Sequence, residues 1–199
     1  MTVVCKWSAD DLYNRAPNYA QAVPVPEVMR EVIRLYAQIA LLRRGPQDLP
    51  ASRLLLILTV CSYAAVNALV SSLLPPGTGW APQLAVDVLF QLAWYAALLQ
   101  LTGRSERFLQ TATAVFGFQG VLSPLLIASE WLMRRFGQDT TWQLPIAVAG
   151  LALVIWLIAA NSHVVKAALD WSSATSVALV ILQIVAAQLL VFALFPSGG

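Results

Sequence analysis

A stretch of 21 residues without a charged side chain, Leu54–Leu74, limits the folding of this chain more than any other feature of its sequence. At about 1.5 Å per residue, a helix of this length can cross the ~30 Å hydrocarbon layer of a bilayer. Four further apolar stretches follow it. The sequence therefore predicts an all-α, polytopic membrane bundle over residues 53–195, with five spans at 54–74, 84–102, 108–133, 144–165 and 177–195.

The composition agrees with a membrane protein. Only 11% of the 199 residues are charged, whereas a soluble domain has about 25%. The net charge is +2, and the basic residues do not form a patch with interleaved aromatic residues, so a nucleic-acid partner is not expected. Cys5 and Cys61 lie far apart, which predicts neither a disulfide framework nor a thiolate metal site.

The first 25 residues have the composition of a polar N-terminal tail. Asp10 and Asp11 stand where a signal peptide needs its apolar core, so we expect no cleaved signal sequence. Met29 is a natural start, which predicts that residues 1–28 are an over-extended N-terminus.

Residues 26–44 are predicted to form an amphipathic helix on the membrane surface. Pro26 and Glu27 suit its first turn, and Gly45 and Pro46 follow it as a stop signal. Charges recur too often for a span, and the cationic end is expected to contact anionic lipid. The apolar stripe is Val28, Val32, Leu35, Ile39 and Leu42, and the residues predicted at the lipid surface are Arg30, Arg34, Arg43, Arg44 and Arg53.

A helix packed on a soluble partner domain is the alternative, because amphipathicity alone does not distinguish the two. Residues 45–52 are then the elbow between this helix and the first span.

In the five-span topology, ten of the twelve lysines and arginines lie on the side of the membrane that holds the N-terminus, and only Arg134 and Arg135 lie on the other side. The excess of positive charge predicts a cytoplasmic N-terminus and an external C-terminus.

Ionisable groups inside spans are expensive and point to a functional site. Asp87 and Glu130 are predicted near the external ends of their spans at similar depth, with Asn67 and Gln91 close enough to join them. This cluster is a candidate for relaying a proton or holding a cation. In the alternative, Asp87 complements a helix dipole and Glu130 pairs with Arg134, four residues on.

A second candidate cluster lies at the cytoplasmic end of the fourth span and contains Asn161, His163, Lys166 and Asp170. Its alternative is an interfacial histidine beside an ordinary Lys166–Asp170 pair at i, i+4 spacing. His163 is the only histidine, so a multi-histidine metal site is excluded. No nucleotide-binding, serine-hydrolase or zinc motif occurs, and we predict no catalytic residue, cofactor or metal.

The chain resembles the Ypt-interacting protein (Yip) domain superfamily. The resemblance rests on the five spans and their orientation, on Trp156, and on the connection from His163 to Trp171 before the last span; Asp11-Leu12-Tyr13-Asn14 resembles a short motif of eukaryotic members. It implies a cytoplasmic N-terminal region before five spans. In eukaryotes it also implies vesicle trafficking with small GTPases, and in a bacterial setting membrane organisation or assembly.

Three functional hypotheses follow. The first is a non-catalytic inner-membrane scaffold or an assembly and trafficking factor, which acts through helix–helix contacts with other membrane proteins or its own copies. The second is a small proton-coupled transporter or permease that uses Asp87 and Glu130. The third, an intramembrane enzyme acting on lipid, has least support because the sequence offers no nucleophile and base pair.

Overall fold

A computed structural model describes residues 25–73, 80–137 and 140–195. These ranges are all-helical and contain no strand, which confirms the predicted fold class. Two short 3-10 helices, Pro46–Asp48 and Ser105–Arg107, join longer elements. Residues 1–24, most of the predicted tail, lie outside the described ranges. The six α-helices are α1 (Val25–Ala40), α2 (Arg53–Leu73), α3 (Trp80–Leu101), α4 (Phe108–Phe136), α5 (Thr140–Leu169) and α6 (Ser173–Leu194).

Within the described ranges, four segments are long and apolar enough to cross a membrane, so the chain is a multi-pass membrane protein. The predicted first span corresponds to α2, whose described apolar part, Arg53–Leu69, is shorter than a span. The count of five spans therefore stays a prediction. The four segments are Ala81–Leu101, Ser105–Phe136, Thr141–Leu169 and Ser173–Leu194.

The chain divides into two compact units, residues 1–32 and residues 33–199. In the first unit, the described residues are the beginning of α1, where Met29 and Arg30 are exposed. The second unit contains the rest of α1 and the five helices α2 to α6.

Helix α4 is the central helix of the second unit. Every residue from Thr111 to Phe118 is buried, in a stretch that the sequence fills with threonine, alanine, valine, phenylalanine and glycine. Gly117 permits the closest approach, because a Cβ atom there would collide with the ring of Tyr36. The Tyr36 hydroxyl is 2.6 Å from Thr59 Oγ1 of α2, which fixes that ring. The end of α1 is thereby packed against both α2 and α4.

The end of α1 differs from the prediction. The helix ends at Ala40, four residues before the predicted end, and Leu42 adopts a left-handed backbone with φ of 57°. The Arg43 amide then donates to the Gln38 carbonyl at 2.9 Å, in the arrangement that usually needs glycine. The indole nitrogen of Trp156, in α5, donates to the Ala40 carbonyl at 2.7 Å, so a side chain of another helix binds this carbonyl at the end of α1. Gly45 and Pro46 come too late to be the stop signal.

The elbow after α1 is ordered by buried contacts. Pro46–Asp48 forms a 3-10 turn, and the Leu49 side chain that follows is buried. Gln110 of α4 donates its side-chain amide to the Leu49 carbonyl at 2.8 Å. The Ser52 hydroxyl accepts the Leu55 amide at 3.3 Å, as expected for a residue that begins a helix. Arg53, predicted at the membrane edge, begins α2 and is exposed.

Candidate functional site

A cavity of about 440 Å³ is lined by residues of all five helices from α2 to α6. Polar and apolar side chains share its walls. Among the described residues, the lining contains one carboxyl group, that of Asp87, and no lysine, arginine or histidine. The polar lining residues are Tyr63 and Asn67 of α2, Asp87 and Gln91 of α3, Gln119 and Ser123 of α4, Asn161 of α5, and Gln183 and Gln188 of α6.

Asp87 is held by two neutral donors. The Tyr63 hydroxyl donates to Asp87 Oδ2 at 3.0 Å, and the Gln91 side-chain amide donates to the same oxygen at 2.9 Å. Gln91 lies four residues after Asp87 on α3, so both face the same side of the helix. Both bonds involve Oδ2, which leaves Oδ1 without a hydrogen bond from the described residues. The carboxylate thus keeps acceptor capacity towards the cavity.

Asp87 lies deeper than the sequence predicted. Helix α3 begins at Trp80, which places Asp87 seven residues into the helix, or roughly 10 Å along its axis. The first turn of α3 contains no acidic residue. The alternative in which Asp87 complements the helix dipole from the first turn is therefore wrong. The sequence placed the start of the span at residue 84 because Pro82 was assigned to the preceding loop, although proline suits the first turn of a helix.

The α2 and α4 walls meet through Asn67 and Ser123. The Asn67 side-chain amide donates to the Tyr63 carbonyl at 2.8 Å and lies 3.4 Å from the Ser123 hydroxyl oxygen. That hydroxyl donates to the Gln119 carbonyl at 2.8 Å. The side-chain oxygen of Gln119 is buried and has no hydrogen-bond partner among the described residues. On this side of the cavity the Asn67 amide and the Ser123 hydroxyl have acceptors, and the Gln119 side-chain oxygen has no donor among the described residues.

A second hydrogen-bonded group on the cavity wall centres on Tyr95, whose side chain is almost completely buried. Its hydroxyl lies 2.8 Å from Asn161 Oδ1 of α5 and 2.9 Å from Gln183 Oε1 of α6. A hydroxyl has one proton, so it donates to the side-chain oxygen of one amide and accepts from the other. The amide that donates must have its nitrogen, and not its oxygen, towards the Tyr95 hydroxyl. This group links three helices.

The structure does not bring Glu130 to this cavity. Glu130 accepts from Arg134 on the same helix, with Oε1 2.5 Å from Nη2, and about half of each side chain is exposed. The local i, i+4 pair, which was the alternative to a functional role, is thus present. Of the four residues in the predicted intramembrane cluster, Asn67, Asp87 and Gln91 line one cavity and Glu130 does not.

The predicted cytoplasmic-face cluster separates into different contacts. Asn161 is buried with Tyr95, whereas His163 is half-buried and lies six residues before the end of α5. The Lys166 ammonium donates to the Ser173 hydroxyl at 2.9 Å, so the Lys166–Asp170 pair is not formed. Asp170 instead accepts from Arg104 and Arg107, which follow α3. The sequence did not predict the contacts of Asp170 with Arg104 and Arg107, because these arginines precede it by more than 60 residues.

Arg104 and Arg107 also bind the end of α5. Both guanidinium groups donate to the Ala168 carbonyl, at 3.4 Å and 3.0 Å, which satisfies a free carbonyl of the last helical turn. The hydrogen bond from Arg104 holds the pKa of the Asp170 carboxyl below its ordinary value. This group is a structural clamp between two connections.

Tyr63 and Tyr95 were not selected from the sequence, although a signal for them exists. Asp87, Gln91 and Tyr95 recur at intervals of four residues on α3, and Tyr63 and Asn67 have the same interval on α2. Such spacing places polar side chains on one helix face. A polar stripe inside an apolar span predicts a bundle-facing surface.

No family model matches the sequence, and no curated protein or solved structure shows significant similarity to it. The resemblance to the Yip superfamily therefore stays a prediction from the sequence pattern. Within the described ranges, no three histidine, cysteine, aspartate or glutamate side chains are grouped so that they could hold a metal ion.

Proposed function

We propose that this multi-pass membrane protein is a small proton-coupled permease in which Asp87 carries the coupling charge. The observation that supports this most directly is a cavity of about 440 Å³ among five helices, in which the described lining residues provide a single carboxyl group and no basic side chain. Buried charges in membrane proteins are usually paired or line a transport route. Glu130 has no part in this mechanism, because it is paired with Arg134 outside the cavity lining.

The coupling follows from the number of carboxyl groups. A lone carboxylate in a low-dielectric cavity is costly, so either a proton or a bound cation neutralises it. One carboxyl group holds one or the other. A cation that enters therefore releases a proton, and a returning proton releases the cation, which is an exchange mechanism. Tyr63 and Gln91 position the carboxyl group in both states through Oδ2.

The membrane topology is part of the proposal. We infer five spans in an inner membrane, with the N-terminus cytoplasmic and the C-terminus external. Helix α2 has 21 residues, enough to cross the hydrocarbon layer. The contacts of Arg104 and Arg107 with Asp170 support a common side for the α3–α4 and α5–α6 connections. The positive-inside rule assigns that arginine-rich side to the cytoplasm.

Transport is tested with purified protein in liposomes that have an acidic lumen and contain a pH-sensitive dye. Addition outside of an organic cation that does not cross the bilayer unaided is expected to discharge the proton gradient in an exchange that the wild-type protein catalyses. Asp87→Asn preserves the shape of the side chain and removes its charge, so the rate should fall to that of protein-free liposomes. Glu130→Gln is the matched control and should transport at the wild-type rate. Equal rates for wild type and Asp87→Asn would refute the proposal.

A second candidate function is the scaffold or assembly role, and the surface at the end of α1 favours it. Ile33 and Leu41 are about half exposed there, and Arg34, Arg43 and Arg44 are exposed as well. Such a mixed apolar and basic surface suits a membrane partner protein or anionic lipid. The Yip-like resemblance supports the same role. Crosslinking in native membranes tests it, because a stoichiometric partner lost on Ile33→Asp would favour the scaffold.

A further inference from the structure

We propose that the cavity binds a small organic cation with a primary ammonium group and an apolar body. This deepens the proposed function, because it rests on Asp87 being the coupling residue and names the class of solute. Polar atoms of the cavity lining that have no hydrogen-bond partner determine whether a ligand has to supply donors or acceptors.

Gln91 provides the main evidence that the ligand is a donor. Its side chain is only 6% exposed, and its Oε1 has no hydrogen-bond partner among the described residues. In the cation-bound state Asp87 is ionised and only accepts, so the Gln91 nitrogen faces Asp87, as it does here at 2.9 Å, and Oε1 stays free for a donor. A buried acceptor left without a donor is unfavourable. A ligand that donates to Gln91 Oε1 removes this cost.

Two further free acceptors line the same cavity. Asp87 Oδ1 receives no hydrogen bond from the described residues, and Gln119 Oε1 is buried without a partner there. A primary ammonium group has a positive charge and N–H donors, which suit a carboxylate oxygen and unpartnered amide oxygens in the same lining. An anion would meet no cationic side chain in this lining. The lining therefore favours a protonated amine.

The remaining walls are apolar. Leu126, Ile127, Val154, Leu157 and Ile184 line the cavity beside the polar groups. Pockets of about 300–1,000 Å³ with mostly apolar walls and a few oriented polar groups are typical of small-molecule sites. An ammonium group could also come from an aminophospholipid, but its phosphate would lack a basic partner here. We therefore favour a free amine with a hydrocarbon or aromatic body.

The test measures binding to the detergent-solubilised protein by calorimetry with three probes of similar size. These are 2-phenylethylammonium, the neutral 2-phenylethanol, and phenyltrimethylammonium, which has the charge but no N–H donor. The first should bind at least about 10-fold more tightly than the others, since hydrogen bonds to charged groups are the strong ones. Asp87→Asn and Gln119→Leu should weaken it, by about 10-fold or more and about 3-fold or more, respectively. Glu130→Gln should leave its affinity unchanged.

Equal affinity for the amine and the alcohol, or undiminished affinity in Asp87→Asn, would overturn the inference. If Asp87→Asn does not fold, the comparison of the three probes on wild type still decides. Nanodiscs of phosphatidylcholine with and without phosphatidylethanolamine distinguish the source, because competition by the aminolipid would assign the ammonium group to lipid and overturn the choice of a free amine. Asp87-dependent exchange without amine selectivity would reject this inference alone, whereas selective binding without exchange would reject only the permease.

Discussion

Asp87 and Glu130 have the same functional group and similar distances from the ends of their helices, yet they occupy opposite kinds of environment. Asp87 has neutral donors from two helices and lines a cavity with polar and apolar walls, whereas Glu130 has an arginine one turn away and is half exposed. An ion pair at an exposed surface contributes little to stability or function. A carboxyl group without a cationic partner inside a bundle needs a proton or a ligand. The difference between the two regions is in their partners and not in their depth.

Two glycine residues allow the same comparison between a closely packed position and an open one, and Gly117 is expected to give the largest change in the free energy of unfolding. Gly117→Ala places a methyl group against the Tyr36 ring, which cannot move without breaking its contact with Thr59. Overpacking of this kind is expected to lower the free energy of unfolding by about 3 kcal/mol. Thermal unfolding in detergent measures the change.

Gly150→Ala in α5 is the matched control. Nothing lies within 4 Å of a Cβ atom at this position, so the substitution only improves helix propensity. It should stabilise the protein by about 0.5–1 kcal/mol. The same sign for both substitutions would show that Gly117 does not mediate a close packing contact.

Removal of a hydrogen-bond donor from each of the two carboxyl groups is expected to give the next largest change in stability. Tyr63→Phe keeps the edge-to-face contact with Phe116, whose ring centre is 5.3 Å away, and removes only the hydroxyl that donates to Asp87. Loss of a hydrogen bond to a charged group should lower the stability by about 2 kcal/mol. Arg134→Gln, which removes the donor of Glu130, should change it by less than about 1 kcal/mol. A larger loss for Arg134→Gln, measured by unfolding in detergent, would reverse the comparison.

How far the sequence predicts this molecule depends on whether the determining contact is local. The apolar runs predict the five helices α2 to α6, because backbone groups in lipid have to be satisfied within one segment, and the amphipathic stripe predicts α1. The pair of Glu130 and Arg134 is also local, so spacing finds it. The end of α1 is not local: Leu42 is left-handed and Trp156 binds the last carbonyl from another helix. No residue near Ala40 signals this end.

The candidate site divides in the same way. Asn67, Asp87 and Gln91 were predicted because polar residues in apolar spans are conspicuous. Their true partners Tyr63, Gln119 and Ser123 belong to two different helices and depend on how α2, α3 and α4 face one another. Depth along a helix does not specify the facing neighbour, which is why Glu130 was grouped with Asp87. The interval of four residues between Asp87, Gln91 and Tyr95 specifies a face and would have selected the cavity side of α3.

The smallest effect is expected outside the membrane, where Asp170 is a carboxyl group of a third kind, exposed but paired with Arg104 and Arg107. Because Arg104 lowers its pKa in the folded protein, the folded state binds fewer protons than the unfolded state. The stabilisation is therefore fully present above the pKa of the unfolded chain, about 3.9, and is lost as the pH falls through the lower folded value. Asp170→Asn removes that dependence, and asparagine tolerates the left-handed backbone with φ of 53° at this position.

Melting temperatures between pH 6 and pH 3 should show that wild type is more stable than Asp170→Asn and that this difference shrinks in acid. Glu106→Gln, an exposed acid in the same connection as the arginines, should not change the acid profile. An advantage that grows in acid would mean that the arginines do not stabilise the ionised carboxylate.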